Sequence, residues 1–176
     1  MNEGMVPRNI LFTGLPGCGK STIIEKIVQR LNRPCTGFFT REIRVAGRRT
    51  GFSIITLDGR RGILAHIDIH SSKRVGKYRV NLPDIDRIAV PSMIPADEAV
   101  VVVVDEIGKM ECLSALFRQT LVTVLDSGNL LVGSIALKGD AFIDAVKKRP
   151  DTLLITVSEK NRTHLAEEYF RRQGRG

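Results

Sequence analysis

The run Gly14-Leu15-Pro16-Gly17-Cys18-Gly19-Lys20-Ser21, with Thr22 beside it, has the spacing of a loop that cradles phosphate. Glycines let a backbone curl until several N–H groups point into one concavity and meet anionic oxygens there. Lys20 can carry a mobile cation to the β- and γ-phosphates of a triphosphate, and the Ser21 hydroxyl can ligate magnesium. A second stretch, residues 101–111, drives four valines into Asp105 and Glu106. Carboxylates at the end of an apolar strand are costly without a cation to meet them. Magnesium is that cation. Asp105 is expected to hold it, directly or through water, and Glu106 to polarise a water near the γ-phosphate. The plainer readings are a glycine turn that binds nothing, an aspartate that caps the next turn and a glutamate on a solvated rim.

This chemistry needs a strand before the loop and a helix after it. Residues 10–12 form a short apolar run, and Ile23, Ile24, Ile27, Val28 and Leu31 recur at helical spacing. The helix N-terminus adds partial positive charge behind the loop. Residues 35–67 read as strands at 37–45, 52–57 and 63–67, with turns at Ala46-Gly47 and Asp58-Gly59. Turns this short make the strands antiparallel. Residues 68–96 are irregular, punctuated by Pro83, Pro91 and Pro95, with a short helix near 83–90.

The second half alternates strands and helices. A strand at 99–104 is apolar enough to be buried on both faces. Leu113, Leu116, Phe117, Leu121, Val124 and Leu125 mark a helix closed by Gly128. A strand at 130–136, a helix at 140–149 stopped by Pro150, a strand at 153–157 and a last helix around Leu165, Ala166, Tyr169 and Phe170 follow. Such alternation predicts a parallel sheet with right-handed crossovers, its ligand lying beyond the carboxyl ends of the strands. The expected fold is α/β, the P-loop NTPase fold. It has a mainly parallel sheet flanked by helices, with added antiparallel strands in the 37–67 segment. All of 1–176 is read as one domain carrying an antiparallel insertion at about 37–80.

Composition narrows the setting. Hydrophobic residues make up 43% and charged residues 26% of the 176, an ordinary globular balance. No apolar stretch is long enough to span a bilayer, and the first residues lack the apolar core of a signal peptide. A cytoplasmic location with no membrane partner is therefore expected. Cys18, Cys35 and Cys112 lie far apart, and His66, His70 and His164 lack metal spacing, so neither disulfides nor structural zinc are expected. Cys18 is either a thiol whose modification blocks nucleotide entry or a small filler of the loop. Of the net charge of +8, an excess of seven lies between Arg41 and Arg79, where ten basic residues face three acids. That asymmetry suits a polyanion-binding face or a solvated hairpin surface equally. Aromatic platforms for single strands are sparse, at 5% with no Trp.

The ordered set "GLPGCGKST", "GFFTREIR" followed by "RRTGFSI", "RVGKYRV", "VVVVDEIGKME" and "VSEKNRTHL" resembles one family, across about residues 8–170. That family is the small nucleoside-triphosphatases of thermophiles and other prokaryotes, with a cancer-related human member. The resemblance implies magnesium-dependent hydrolysis of nucleoside triphosphates (ATP, GTP and others) to diphosphate and phosphate, with broad base tolerance and slow turnover. It also implies a mainly parallel sheet enlarged by antiparallel strands. Residues 14–22 are then placed on the triphosphate, and Asp105 and Glu106 on magnesium and water.

Two other classes share these motifs. A small-molecule or nucleotide kinase would use Glu106 as base for an acceptor hydroxyl, and Lys147, Lys148 and Arg149 are its nearest approach to a basic lid. A nucleic-acid-linked ATPase would use the basic middle segment. Asn161 and Arg162 follow the last strand and are candidates for base contact, or else a helix-start asparagine beside a solvated arginine. Oligomeric state has no signature in the sequence.

Overall fold

The computed structural model describes residues 7–173. β1 (Asn9–Thr13) leads through the glycine loop into α1 (Lys20–Arg30), whose Ile23, Ile24 and Ile27 are buried. β2 (Cys35–Val45), β3 (Arg48–Thr56) and β4 (Arg61–His66) follow as an antiparallel meander. Its turns fall at Ala46-Gly47 and around Asp58-Gly59, as expected, with φ of 47° at Ala46 and 91° at Gly59. The 68–96 stretch holds more order than its prolines suggest. β5 (Arg74–Val75) and β6 (Tyr78–Val80) make a small hairpin about Gly76. A helical segment then runs from α2 (Leu82–Asp84) through a π-helical turn (Ile85–Ala89) to α3 (Val90–Ser92). β7 (Val101–Ile107), a 3₁₀ turn (Glu111–Leu113) and α4 (Ala115–Asp126) come next. β8 (Leu131–Ile135), α5 (Ala141–Lys147), β9 (Thr152–Thr156) and α6 (Leu165–Gln173) complete the alternation.

All nine strands join one sheet in the order β5-β6-β4-β3-β2-β7-β8-β1-β9. From β2 to β9 the pairings are parallel, and from β2 to β5 they are antiparallel. β2 therefore belongs to both regions. It was expected only as an antiparallel strand, yet it is also the parallel neighbour of β7, with Phe38 opposite Val104 and Phe39 opposite Asp105. The approach is close at Gly37, where a Cβ would fall 1.9 Å from the Val103 carbonyl oxygen.

The strand period of two supplies both cores. Val102 and Val104 face one cluster with Leu11, Phe38 and Phe117, while Val101 and Val103 face the other with Ile10, Phe12 and Ile24. All four valines are fully buried, as a strand covered on both sides requires. β7 runs three residues beyond its expected end at 104, so Asp105 and Glu106 lie within the strand. The reason is a bulge. β7 and β8 are in register at Val104–Gly133 and again at Ile107–Ile135, so Asp105 and Glu106 together oppose the single residue Ser134. A bulge of this kind turns side chains away from the regular alternation.

Candidate active site

The loop after β1 takes its shape from three glycines with positive φ: Gly14 at 151°, Gly17 at 76° and Gly19 at 107°. Gly14 has no room for a side chain, since a Cβ would lie 2.6 Å from the Val157 carbonyl oxygen and 2.9 Å from Cys18 Sγ. The Cys18 N–H donates to the Leu15 carbonyl at 3.2 Å and closes the turn. Leu15, Pro16 and Gly17 form its exposed crest. α1 begins at Lys20, with no side-chain cap and no acid in its first turn. The N–H groups there, including those of Ser21 and Thr22, precede any i→i−4 partner and are left for an anion. Lys20 Nζ folds back over the loop and donates to the carbonyls of Gly14 at 3.2 Å and Leu15 at 3.3 Å. Cys18 is buried in the core beneath the loop, which matches the filler reading.

The carboxyls sit across from this loop. Asp105 is 1% exposed, and its Oδ1 accepts from Ser134 Oγ at 2.5 Å. Its Oδ2 is buried without a hydrogen-bond partner, and Arg41 Nη1 stands 4.0 Å away. Burial raises this carboxyl above its ordinary value, opposed by the Ser134 and Ser21 hydroxyls and by the charges of Arg41 and Lys20. An unsatisfied carboxylate oxygen beside a serine hydroxyl is the hard-oxygen set that a divalent cation takes, so the residues present fit magnesium. Glu106 is also raised by burial, opposed by Lys20 and reinforced by Asp105.

Two adjoining cavities share Lys20, Glu106, Thr40 and Met110, together with Pro16, Phe52 and Val75. One, of about 510 Å³, lies over Gly19, Ser21, Asp105 and Ser134, with Arg41 and Arg49 on its wall. The other, of about 560 Å³, is bounded by Phe52, Leu64, Val75, Leu137, Lys138 and Glu111. Loops from the carboxyl ends of β1, β7 and β8 meet here, the position expected of a ligand on a parallel sheet.

The structure thus brings residues 14–22, Asp105 and Glu106 to one place. It adds Ser134, Arg41, Arg49 and Glu111, none of which the motifs singled out. Arg41 pairs with Glu25, and Arg49 donates to Glu42 at 2.7 Å and to the Tyr78 hydroxyl at 2.9 Å. Both had been quoted within the resemblance motifs and counted in the basic segment, without a role at the site. That segment is partly neutralised from within, since Arg44 pairs with Glu42 and Arg60 with Asp58. Asn161 is occupied by its own loop. Its Oδ1 accepts from the Ser158 N–H and its Nδ2 donates to the Thr156 carbonyl, both at 2.8 Å. The Arg162 side chain lies over Gly19, 3.6 Å from the position of a Cβ there. Two of the three suggested lid cations are tied to neighbouring groups. Lys147 donates to the Leu137 carbonyl at 2.9 Å, and Arg149 binds Asp126 and Asp151 at 2.7 Å. The Asp151 backbone carbonyl accepts from the Asn9 N–H, at the end of β1 opposite the loop. Among the described residues no helix is long and apolar enough to cross a membrane.

A glycine loop between β1 and α1, with two acids on a strand separated from β1 by β8, defines a phosphate-loop α/β protein. The comparisons with known proteins narrow this class: the family described as NTPase matches residues 9–170, and the chain belongs to it. Membership makes it an enzyme that hydrolyses nucleoside triphosphates. The chain is 46% identical over 160 residues to nucleoside-triphosphatase THEP1 of Thermotoga sp. (strain RQ2), covering 90% of this chain and 91% of that one. It is 37% identical over 175 residues to the human cancer-related nucleoside-triphosphatase, covering 90% and 92%. The crystal structure of THEP1 from Aquifex aeolicus superposes with a TM-score of 0.83 at 34% identity, covering 92% of this chain and 96% of that one.

Proposed function

We propose that this site cleaves the β,γ-anhydride of nucleoside triphosphates with water and magnesium, releasing nucleoside diphosphate and phosphate with little discrimination between bases. The observation that carries the reading is the meeting of Lys20, the buried Asp105–Ser134 pair and Glu106 around two adjoining cavities. Residues 14–22 grip the phosphates through backbone N–H groups, which read no base. Lys20 leaves its two carbonyl partners and meets the β- and γ-phosphates. Asp105 and Ser21 would hold the magnesium, which when bound neutralises charge on the phosphate oxygens. Glu106 takes the proton of the attacking water as its oxygen bonds to the γ-phosphorus and the bond to the β-phosphate bridge breaks. Burial favours Glu106 in this role because it raises the carboxylate's proton affinity. Arg41 and Arg49 face the same cavity and add positive charge on the phosphate side. The reaction is set in the cytoplasm, where nucleoside triphosphates are abundant.

Phosphate release from each common nucleoside triphosphate, with and without alcohol acceptors, tests this directly. Release without an acceptor, at comparable rates across bases and dependent on magnesium, is expected. Transfer only in the presence of an acceptor would overturn the reading.

A further inference from the structure

Glu111 closes the second motif and has no part in the scheme above. It opens the 3₁₀ turn after β7, is 4% exposed and lines the larger cavity with Glu106 and Lys20. The turn folds it back on the catalytic strand. A Cβ on Gly108 would lie 2.8 Å from Glu111 Oε2 and 3.6 Å from Glu106 Cδ. Both carboxyls therefore lie beside one glycine, where a side chain would strike Glu111 and come into ordinary contact with Glu106. Hydrolysis by Glu106 alone does not require a second buried acid, and burying one is costly unless it is neutral or paired.

We propose that Glu111 is a positioning residue of the hydrolytic centre: buried beside Glu106 across the Gly108 turn, it keeps that carboxylate aimed at the attacking water. The inference rests on Glu106 being the base. Burial, with the Glu106 charge next in weight, pushes the Glu111 carboxyl up to about 8. The charges acting on it are Glu106 and Asp105, both negative. The surrounding elements bring Lys20 from the glycine loop, Lys109 from its own turn and Lys138 from the loop after β8. From β2 to β5 only Thr40, Phe52, Leu64 and Val75 face the cavity. Cys112 beside it has a thiol pushed up to about 12 and stays neutral. Glu111 is thus a neutral acid around pH 7. It ionises as pH passes through about 8, where a second negative charge would repel both Glu106 and the γ-phosphate.

The test compares E111Q, E111A and E106Q with the parent in kcat and KM across pH, and in the infrared band of a protonated carboxyl. E111Q keeps a neutral side chain of the same shape. It should hold kcat within about twofold of the parent near neutrality and lose the parent's fall in kcat above about pH 8. E111A should lower kcat about tenfold with KM unchanged, as removal of an orienting partner does. The band should be present near neutral pH in the parent and in E106Q and absent from E111Q. E111A at the parental rate, E111Q with the parent's alkaline fall, or a band indifferent to E111Q would each overturn the proposal. Failure of the base assignment reads differently: E106Q would turn over at the parental rate while the band stayed in place.

Discussion

In the proposed reaction residues 14–22 would meet the phosphates with backbone N–H groups and one lysine on a partly exposed loop, whereas the buried Asp105 and Glu111 and the half-buried Glu106 stand on the other side of the site. On the loop side, glycine φ values set the geometry, and several equivalent donors would share an anion. On the acid side the carboxyls have few partners: Asp105 has the Ser134 hydroxyl, with Ser21, Arg41 and Lys20 around it, and Glu106 lies near the Gly108 turn. Distributed donors tolerate small losses, while a buried carboxyl without its partner carries the full cost of its desolvation. Lys20 is the loop's exception, because no second loop residue can bring a cation to the same oxygens.

That contrast breaks at Lys20 if it breaks anywhere. K20A should lower kcat about 10³-fold, the upper range for losing one charge-stabilising donor. A parental rate at saturating triphosphate would remove the loop from the chemistry. E106Q comes next, with kcat down about 10²-fold and triphosphate affinity unchanged or slightly higher. Single-turnover hydrolysis measured beside equilibrium binding separates the two effects. D105N tests the cation itself. Its magnesium requirement should rise about tenfold, because a neutral amide binds a hard cation less well, and superimposable titrations would take Asp105 out of the metal site. S134A is the mildest. It leaves Asp105 ionisable but frees Oδ1, and should raise the magnesium requirement about threefold, the weight of one hydrogen bond. If S134A equalled D105N, the acid side would act as a single unit, sharpening the contrast with the loop.

Much of this was readable from residue order. The strand–loop–helix at 9–30 follows from glycine spacing and an apolar period of three to four, and the two acids follow from a valine run that ends in charge. What the order concealed is tied to register. Ser134 looks like a polar interruption in a strand, and it meets Asp105, twenty-nine positions away, only because β7 carries a bulge at that point. A lone hydroxyl near the end of an otherwise apolar strand was the available signal. Glu111 was quoted within its motif but given no role, since a glycine two residues after Glu106 does not announce that the chain doubles back there. The β5–β6 hairpin hid among prolines and charges, although Gly76 marks its turn with φ of 58°. Periodicity identified β2 as a strand and could not name its neighbours, which are set by tertiary pairing.

That strand also bears on how the chain could be re-engineered. Phe39 sits between Asp105 on one edge and Ile55 on the other, so the meander has no seam at which it could be lifted out. A chimera that replaced residues 48–80 with a tight turn would turn β2 into an edge strand with a row of unpaired N–H and C=O groups, open to pairing with another chain. It would also remove Phe52, Leu64 and Val75 from the wall of the larger cavity. Any exchange of this segment between relatives must therefore carry β2 with it, and a graft that starts at Cys35 keeps the joint where a graft that starts at Arg48 cuts through it.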